Sequence, residues 1–202
     1  MFDFDRTLST RDNVLPFLVA VAGRGPVART LTRSLPDLAR GRRDAVKARL
    51  ARELLRGRDE TDVRASARAF AADCVAHHVR RDVVDRAEWH RAAGHMLVIA
   101  SASFECYVAP VAAALGFDAA LATRLVTAAD GRLSGDLDGP NVRRAEKVRR
   151  LDAWLTDAGL SGRSLTLWAY GDSTGDRELL GRADHAVRVG RARISREPRD
   201  PT

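Results

Sequence analysis

The chain has 202 residues, with 34 Lys+Arg against 27 Asp+Glu for a formal net charge of +7, and 45% of its residues are hydrophobic. That length suffices for one large domain or a core with an insert, and the composition excludes a disordered chain. Two cysteines, Cys74 and Cys106, fit no disulfide framework or metal spacing and point to a reducing, cytoplasmic setting; the longest apolar run, residues 14–22 with Pro16 inside, is too short to cross a bilayer, and the start lacks a signal-peptide pattern.

Residues 1–8 read as a short strand running into a loop. Residues 13–93 carry helical periodicity, broken at Gly23-Arg24-Gly25-Pro26, Arg40-Gly41 and Gly57. Ala45, Val46, Leu50, Leu54 and Leu55 fit one helix face, and Ala67, Phe70, Ala71, Cys74, Val75 and His78 another. Residues 96–100, Met-Leu-Val-Ile-Ala, form a continuous apolar run after Gly94, the pattern of a buried parallel strand. A helix over 104–115 stops at Gly116. Residues 121–127 and 132–137 flank Ala128-Ala129-Asp130-Gly131 as a hairpin. A helix over 147–158, a strand over 165–170, a short helix over 177–182 and a strand over 186–189 follow, and the polar tail 191–202 is expected to fray. One strand, a long helical stretch, then alternating strand and helix predict an α/β fold. Its open, Rossmann-like parallel sheet core comprises residues 1–12 and 94–190, with 13–93 an all-helical insert after the first strand.

The charge is unevenly spread. Residues 24–58 hold eleven basic side chains against Asp37, Asp44 and Glu53, which reads as the solvated face of amphipathic helices or as a field attracting phosphates or an anionic surface. No aromatic residue interleaves these arginines, so nucleic acid is not the expected partner. Only two of the 34 basic residues are lysines, Lys47 and Lys147.

Four groups of residues carry chemistry, each at or near the C-terminal end of a predicted strand or beside it, where open α/β sheets hold ligands. In Asp3-Phe4-Asp5-Arg6-Thr7-Leu8, alternation along an extended segment sets Asp3 and Asp5 on one side. Such a pair can bind a divalent cation or divide nucleophile and acid/base roles. Ser101 ends the apolar strand and suits a phosphate oxygen, or caps the helix that follows. Lys147 offers a compact ammonium that can sit between a carboxylate and a phosphate, whereas Lys47 reads as an incidental survivor. Gly171-Asp172-Ser173-Thr174-Gly175-Asp176 supplies a tight turn and two acids that can face one pocket.

Taken together and in this order, the four resemble the haloacid dehalogenase superfamily of phosphohydrolases. Asp3-Phe4-Asp5-Arg6-Thr7 looks like its DxDxT motif, Ser101 its second motif, Lys147 its third and Gly171–Asp176 its GDSxxD fourth, while the helical insert matches a type 1 cap. Ala122-Thr123-Arg124-Leu125 with Asp130-Gly131-Arg132-Leu133-Ser134-Gly135 is similar to the phosphoserine phosphatase-like branch. Two features depart from the family. Only Met1 and Phe2 precede Asp3 where several apolar residues are usual, so a start placed late or a fragment is expected, and Arg6 stands where a small residue is common.

The resemblance implies a magnesium-dependent phosphatase. Asp3 attacks phosphorus and carries an aspartyl-phosphate, and Asp5 protonates the leaving oxygen and then activates water. Magnesium is held by Asp3, the Asp5 carbonyl and Asp172, supported by Asp176. Ser101 and Lys147 hold the phosphate, and Thr7 orients the loop beside it. The expected substrate is a small phosphorylated metabolite such as phosphoserine, with Asp12 placed to meet its amine and Arg49 or Arg52 its carboxylate. A rival is a lipid phosphate, as in phosphatidylglycerophosphate phosphatases, reached through peripheral membrane contact of the basic segment and residues 14–22. A third reading is a non-catalytic basic binding protein on a phosphatase fold; the complete acidic set argues against it.

Overall fold

The computed structural model describes residues 1–197. Its sheet is joined through its shortest member. Strand β1 (Val98–Phe104) pairs in parallel with β2 (Ala119–Thr127), and β3 (Leu133–Asp138) runs antiparallel on the outer side of β2. Strand β4 (Trp168–Gly171) pairs in parallel with β5 (His185–Arg188). Between β1 and β4 lies only Phe2, bridged in parallel to Ile99 on one side and Tyr170 on the other. The Phe2 and Ala100 amides exchange hydrogen bonds with Val98 and Phe2 carbonyls at 2.8 Å, and the Asp3 amide donates to the Tyr170 carbonyl at 2.8 Å. The order across the sheet is therefore β3, β2, β1, Phe2, β4, β5.

The expected first strand thus reduces to a single bridge, and both neighbours begin later than their apolar runs. β1 starts at Val98 rather than 96, where its pairing with β2 begins opposite Ala119, and β4 at Trp168 rather than 165, where its pairing with β5 begins opposite His185. The Met1 amine donates to the Trp168 carbonyl at 2.6 Å, and burial pushes its pKa down to about 5. A cavity of about 980 Å³ lies at this end of the strands, lined in part by Met1, Met96, Leu97, Leu165 and Trp168, and none of the motif residues borders it.

Alternation along the strands gives the sheet two apolar faces. Phe2, Ile99 and Tyr170 belong to one cluster, with Phe2 stacked on Tyr170 at 4.3 Å between ring centroids. Met1, Val98, Ala100 and Ala169 belong to the other, against Leu151 of α8 (Ala145–Asp157) and Leu179 of α9 (Arg177–Arg182). A sheet covered on both faces is what continuous apolar strands require.

The insert is all-helical: α1 (Val14–Ala22), α2 (Arg24–Arg33), α3 (Leu35–Ala39), α4 (Arg43–Leu55), α5 (Glu60–His77) and α6 (Arg81–Ala92). Asp59 caps α5 by accepting from the Thr61 amide at 2.9 Å, as a short acidic side chain does at a helix start. Phe17 of α1 and Phe70 of α5 pack on Tyr107 of α7 (Glu105–Ala114), with ring centroids 4.7 and 5.2 Å apart. These three rings fasten the insert to the core. Helix α4 approaches β3 so closely that a Cβ on Gly135, at φ +85°, would stand 2.9 Å from the Arg52 Cα, a place only glycine fills without strain.

The tail expected to fray is held through residue 196. Arg80 donates to the Gly190 carbonyl at 2.7 Å, the Ile194 amide donates to Asp82 at 2.9 Å, and buried Arg86 donates to the carbonyls of Ser195 and Arg196 at 2.6 and 2.7 Å. Residues 198–202 of that expectation lie outside the described residues.

Candidate active site

Asp3 stands where the chain leaves the sheet, its amide still bonded to β4. The following turn closes with Leu8 N–H on the Asp3 carbonyl at 3.3 Å and Ser9 N–H on the Phe4 carbonyl at 2.8 Å. This wide turn forces Arg6 to φ +59°, a left-handed conformation uncommon outside glycine, asparagine and aspartate. The side chain of Arg6 is exposed, and its charge reaches Asp172.

Lys147 is enclosed between two carboxylates, with Nζ 2.5 Å from Asp3 Oδ1 and 2.5 Å from Asp176 Oδ1. The three residues are 2%, 6% and 1% exposed, so the group is largely buried. Helix α8 delivers the lysine there because its start is tied to the last motif: the Arg144 amide donates to the Gly175 carbonyl at 2.7 Å, with Arg144 at φ +53°. Asp176 is fully engaged, since its other oxygen accepts from the Ser173 amide at 3.0 Å and the Ser173 hydroxyl at 2.8 Å. Gly171 makes room for it, because a Cβ there would lie 2.6 Å from the Asp176 Cβ.

One carboxylate oxygen from each of Asp3, Asp172 and Asp176 lies within 4.8 Å of the others. Such a set of hard oxygen donors fits a magnesium ion, which takes one or two carboxylates and fills its remaining positions with water and phosphate. Burial in this cluster lifts Asp3 to about 7, with Lys147 opposing the shift and Asp176 adding to it. Burial opposes the charge on Lys147, but Asp3 and Asp176 outweigh it and hold its pKa above the usual lysine value. Asp172, half-buried, is raised by burial and by Asp176.

The Asp5 side chain lies apart from this cluster and is held from two directions. Asn13 donates to Oδ1 from its main chain and its side-chain amide, both at 2.9 Å, and the Ser103 hydroxyl donates to Oδ2 at 2.5 Å. Burial raises Asp5 to about 6, Asp12 adds to the rise, and Ser103 and Asn13 oppose it. A carboxyl fixed in place with a pKa near neutrality suits proton transfer in both directions. Ser101 does not end its strand as expected: it is fully buried in the middle of β1, at the last regular pair before the register shift to Phe104, its hydroxyl accepting from the Ser103 amide at 3.0 Å. Thr7 is also buried, and its hydroxyl finds no hydrogen-bond partner among the described residues.

The structure brings Asp3, Asp5, Thr7, Ser101, Lys147, Asp172 and Asp176 to the carboxyl end of the sheet. Asp12 lies on the rim, capping α1 through the Val14 amide at 3.1 Å, while its charge is felt at Asp5 and Lys47. Arg49 and Arg52 are not brought to the site. Arg49 turns to the Arg33 carbonyl and to Asp37 at 3.0 Å, and Arg52 to Asp136 at 2.6 Å, because both lie off the core-facing stripe of α4 marked by Val46, Lys47, Leu50 and Ala51.

Three further residues enter that sequence reasoning left without a role. Asn13 and Ser103 hold Asp5, and neither belongs to a motif of its own. Lys47 comes in from α4 and donates to the Ala102 carbonyl and to Asn141 Oδ1; burial pushes its pKa down to about 7 against the pull of Asp5 and Asp44. The scarcity of lysine was the one signal that could have found it.

A family model for haloacid dehalogenase-like hydrolases matches residues 1–181. The chain belongs to this family. Protein CicA of Caulobacter vibrioides is 37% identical over 187 residues, covering 91% of this chain and 82% of the relative. A histidinol-phosphatase of Neisseria meningitidis is 28% identical over 123 residues, covering 60% of this chain and 55% of the relative. Among solved structures, a substrate-bound phosphoserine phosphatase superposes with a TM-score of 0.61 at 19% identity, covering 90% of this chain and 80% of the other. The protein is thus a haloacid dehalogenase-like hydrolase, with a Rossmann-like core and a helical cap. No helix of the described residues is long and apolar enough to cross a membrane.

Proposed function

We propose that this hydrolase is a phosphatase that hydrolyses the monoester of a small phosphorylated metabolite, phosphoserine or a similar compound, through an aspartyl-phosphate on Asp3. The observation that carries the reading is the division of labour between the two aspartates. Asp3 shares Lys147 with Asp176 and points into the cation-binding cluster, whereas Asp5 is turned away and held by Asn13 and Ser103. This arrangement supports Asp3 as the attacking group and Asp5 as the group that moves the proton.

Asp3, Asp172 and the main-chain carbonyl of Asp5 would hold magnesium, with Asp176 steadying Lys147 and the Ser173 turn behind them. A bound ion would neutralise charge on the phosphoryl oxygens. Lys147 offsets the repulsion between an anionic nucleophile and an anionic ester. Ser101, at the register shift of β1, is available to a phosphate oxygen, and an unpaired buried hydroxyl such as that of Thr7 is a cost that a ligand can offset. Asp12 on the rim is available to a substrate amine. We also place the protein in the cytoplasm, on the ground that Cys74 and Cys106 are both free thiols.

The test is hydrolysis of p-nitrophenyl phosphate and phosphoserine in magnesium and in chelator, with beryllium fluoride as the trap for the phosphorylated residue. Activity should require the cation, and the fluoride should attach to Asp3. Asp3→Asn should abolish turnover, and Asp5→Asn should lower it about 10²–10⁴-fold. Phosphoenzyme formed by Asp3→Asn would refute the assignment.

A second reading, a lipid phosphate met at a membrane surface, is favoured by one observation. Helix α3 buries none of its residues, and Leu35 and Leu38 are 57% and 42% exposed among exposed arginines 33, 40, 42 and 43. An apolar pair ringed by cations is the pattern of an interfacial contact.

A further inference from the structure

Only two lysines stand among the 34 basic residues, and the fold buries both at one site. Lys147 comes from the core and Lys47 from the cap, the latter 7% exposed. Unlike Lys147, Lys47 is hydrogen-bonded to neutral groups alone: the main-chain carbonyl of Ala102 and Asn141 Oδ1 at 2.7 Å. Its ammonium also lies 4.5 Å from the centroid of the Phe104 ring. Enclosing an ammonium on neutral acceptors is costly, and an apolar side chain of similar length would hold α4 against the core without that cost. What the ammonium grips therefore matters.

The Ala102 carbonyl belongs to the peptide between Ala102 and Ser103. The N–H of that same peptide donates to the Ser101 hydroxyl at 3.0 Å, and the Ser103 side chain donates to Asp5 at 2.5 Å. One peptide unit thus separates the cap lysine from both the phosphate-binding serine and the acid/base carboxyl. The second arm returns to the helix it started from. Asn141 donates from its amide nitrogen to Asp44, three residues before Lys47 on α4, at 2.8 Å, and its oxygen accepts from Thr123 of β2 at 2.8 Å. Lys47 and Asp44 together clasp the loop after β3 and the end of β1.

We propose that Lys47 is a positioning residue that couples the seating of cap helix α4 to the geometry of the phosphate pocket, by holding the Ala102–Ser103 peptide in the orientation that serves Ser101 and Asp5. The inference rests on the phosphatase reading above. Lysine serves here where arginine would not, because a compact ammonium fits between a carbonyl, an amide oxygen and a ring face, and a planar guanidinium is too wide.

The experiment uses the full chain in magnesium, with Lys47→Met, Lys47→Arg, Asn141→Ala and the Lys47→Met/Asn141→Ala double variant. Turnover of p-nitrophenyl phosphate and phosphoserine, calorimetric titration with inorganic phosphate, and thermal unfolding are measured for each. Lys47→Met should lower kcat about 10–100-fold on both esters, the size expected for a displaced reacting group, with KM changed less than about threefold. It should weaken phosphate binding about fivefold. Lys47→Arg should not restore the rate, and the double variant should lie within about threefold of Lys47→Met because the two residues act as one unit. A merely structural role would move the unfolding temperature and leave kcat of the folded enzyme alone.

Should Lys47→Met fail to fold, Asn141→Ala carries the test, with a kcat loss of about 3–10-fold expected and none overturning the proposal. A kcat within twofold of wild type, full rescue by arginine, or a loss confined to phosphoserine would each overturn it, the last making Lys47 a substrate contact. If the wild type hydrolyses neither ester, the phosphatase reading fails, and the phosphate titration still decides the role of Lys47. Weaker phosphate binding by Lys47→Met then supports the coupling, and equal affinity or no binding by the wild type overturns it.

Discussion

Replacing Lys147 by methionine removes the one cation that, among the described residues, forms a salt bridge with Asp3 and Asp176, and leaves these buried carboxylates facing each other beside Asp172. Taking one partner out of a buried ion pair costs about 3–5 kcal/mol. The carboxylates can escape part of that cost by binding protons, which makes the loss depend on pH. Asp3 is lifted by burial from its ordinary 3.8 to about 7 even with the lysine present. A carboxyl whose pKa is raised on folding binds its proton more tightly in the native state, so its contribution to stability falls as pH rises through that window. Wild type should lose this contribution between about pH 4 and 7 and then level off. In Lys147→Met the native pKa rises further, so the loss continues above 7 at up to about 1.4 kcal/mol per pH unit. Urea unfolding at pH 6, 7 and 8.5 in chelator measures this. The gap between variant and wild type should be about 3–5 kcal/mol at pH 8.5 and less than half of that at pH 6. Magnesium at about a hundred times its dissociation constant should return about 2.7 kcal/mol. A gap that stays below about 0.5 kcal/mol, or one that does not change with pH, would refute the reasoning that the lysine compensates buried negative charge.

Gly171→Ala places a Cβ 2.6 Å from the Asp176 Cβ, so it should push Asp176 off Lys147, cost about 1–3 kcal/mol and depress turnover; wild-type activity in this variant would show that Asp176 is free to move. Leu35→Ser/Leu38→Ser tests the membrane reading. If α3 docks on lipid, sedimentation with vesicles of 30% phosphatidylserine in phosphatidylcholine at about 0.15 M salt should fall sharply in the double variant while p-nitrophenyl phosphate hydrolysis persists, and equal sedimentation of both proteins would remove that reading.

Asp3, Ser101 and Asp172 were legible because each follows an apolar stretch, and in an α/β sheet such ends converge whatever lies between them; Lys147, in the first turn of α8, was legible through the scarcity of lysine. The resemblance of the four groups, in this order, to one family is what joined Asp3, Ser101, Lys147 and Asp172 from four separate stretches. The starts of β1 and β4 were not legible, because Met96, Leu97, Leu165 and Leu167 are as apolar as the residues that pair, and each ladder begins opposite a partner distant in sequence, Ala119 or His185. Asn13 and Ser103 escaped notice for a different reason. Each is a common polar residue near a helix start, where capping explains it as well as catalysis does, and the bonds to Asp5 that distinguish the two roles span 8 and 98 positions. Arg49 and Arg52 were misplaced because the resemblance implies a cap arginine but does not say which face of its helix it occupies, and α4 turns its apolar stripe and Lys47 inward while sending both arginines to acids on its flanks.

That last contrast explains how the basic residues divide between surface and interior. A guanidinium is weakly hydrated and forks over several acceptors, so the arginines of the cap spread over outward carbonyls and carboxylates, and even buried Arg86 is accommodated by reaching two carbonyls and the Tyr170 hydroxyl at once. The two lysines occupy the places where a fork has no room: between Asp3 and Asp176, and between the Ala102 carbonyl, Asn141 and the Phe104 ring. Rarity of lysine in this chain is thus a structural signal. An ammonium is kept where a single small cation must be enclosed, and both enclosures adjoin the carboxylates on which phosphoryl transfer would depend.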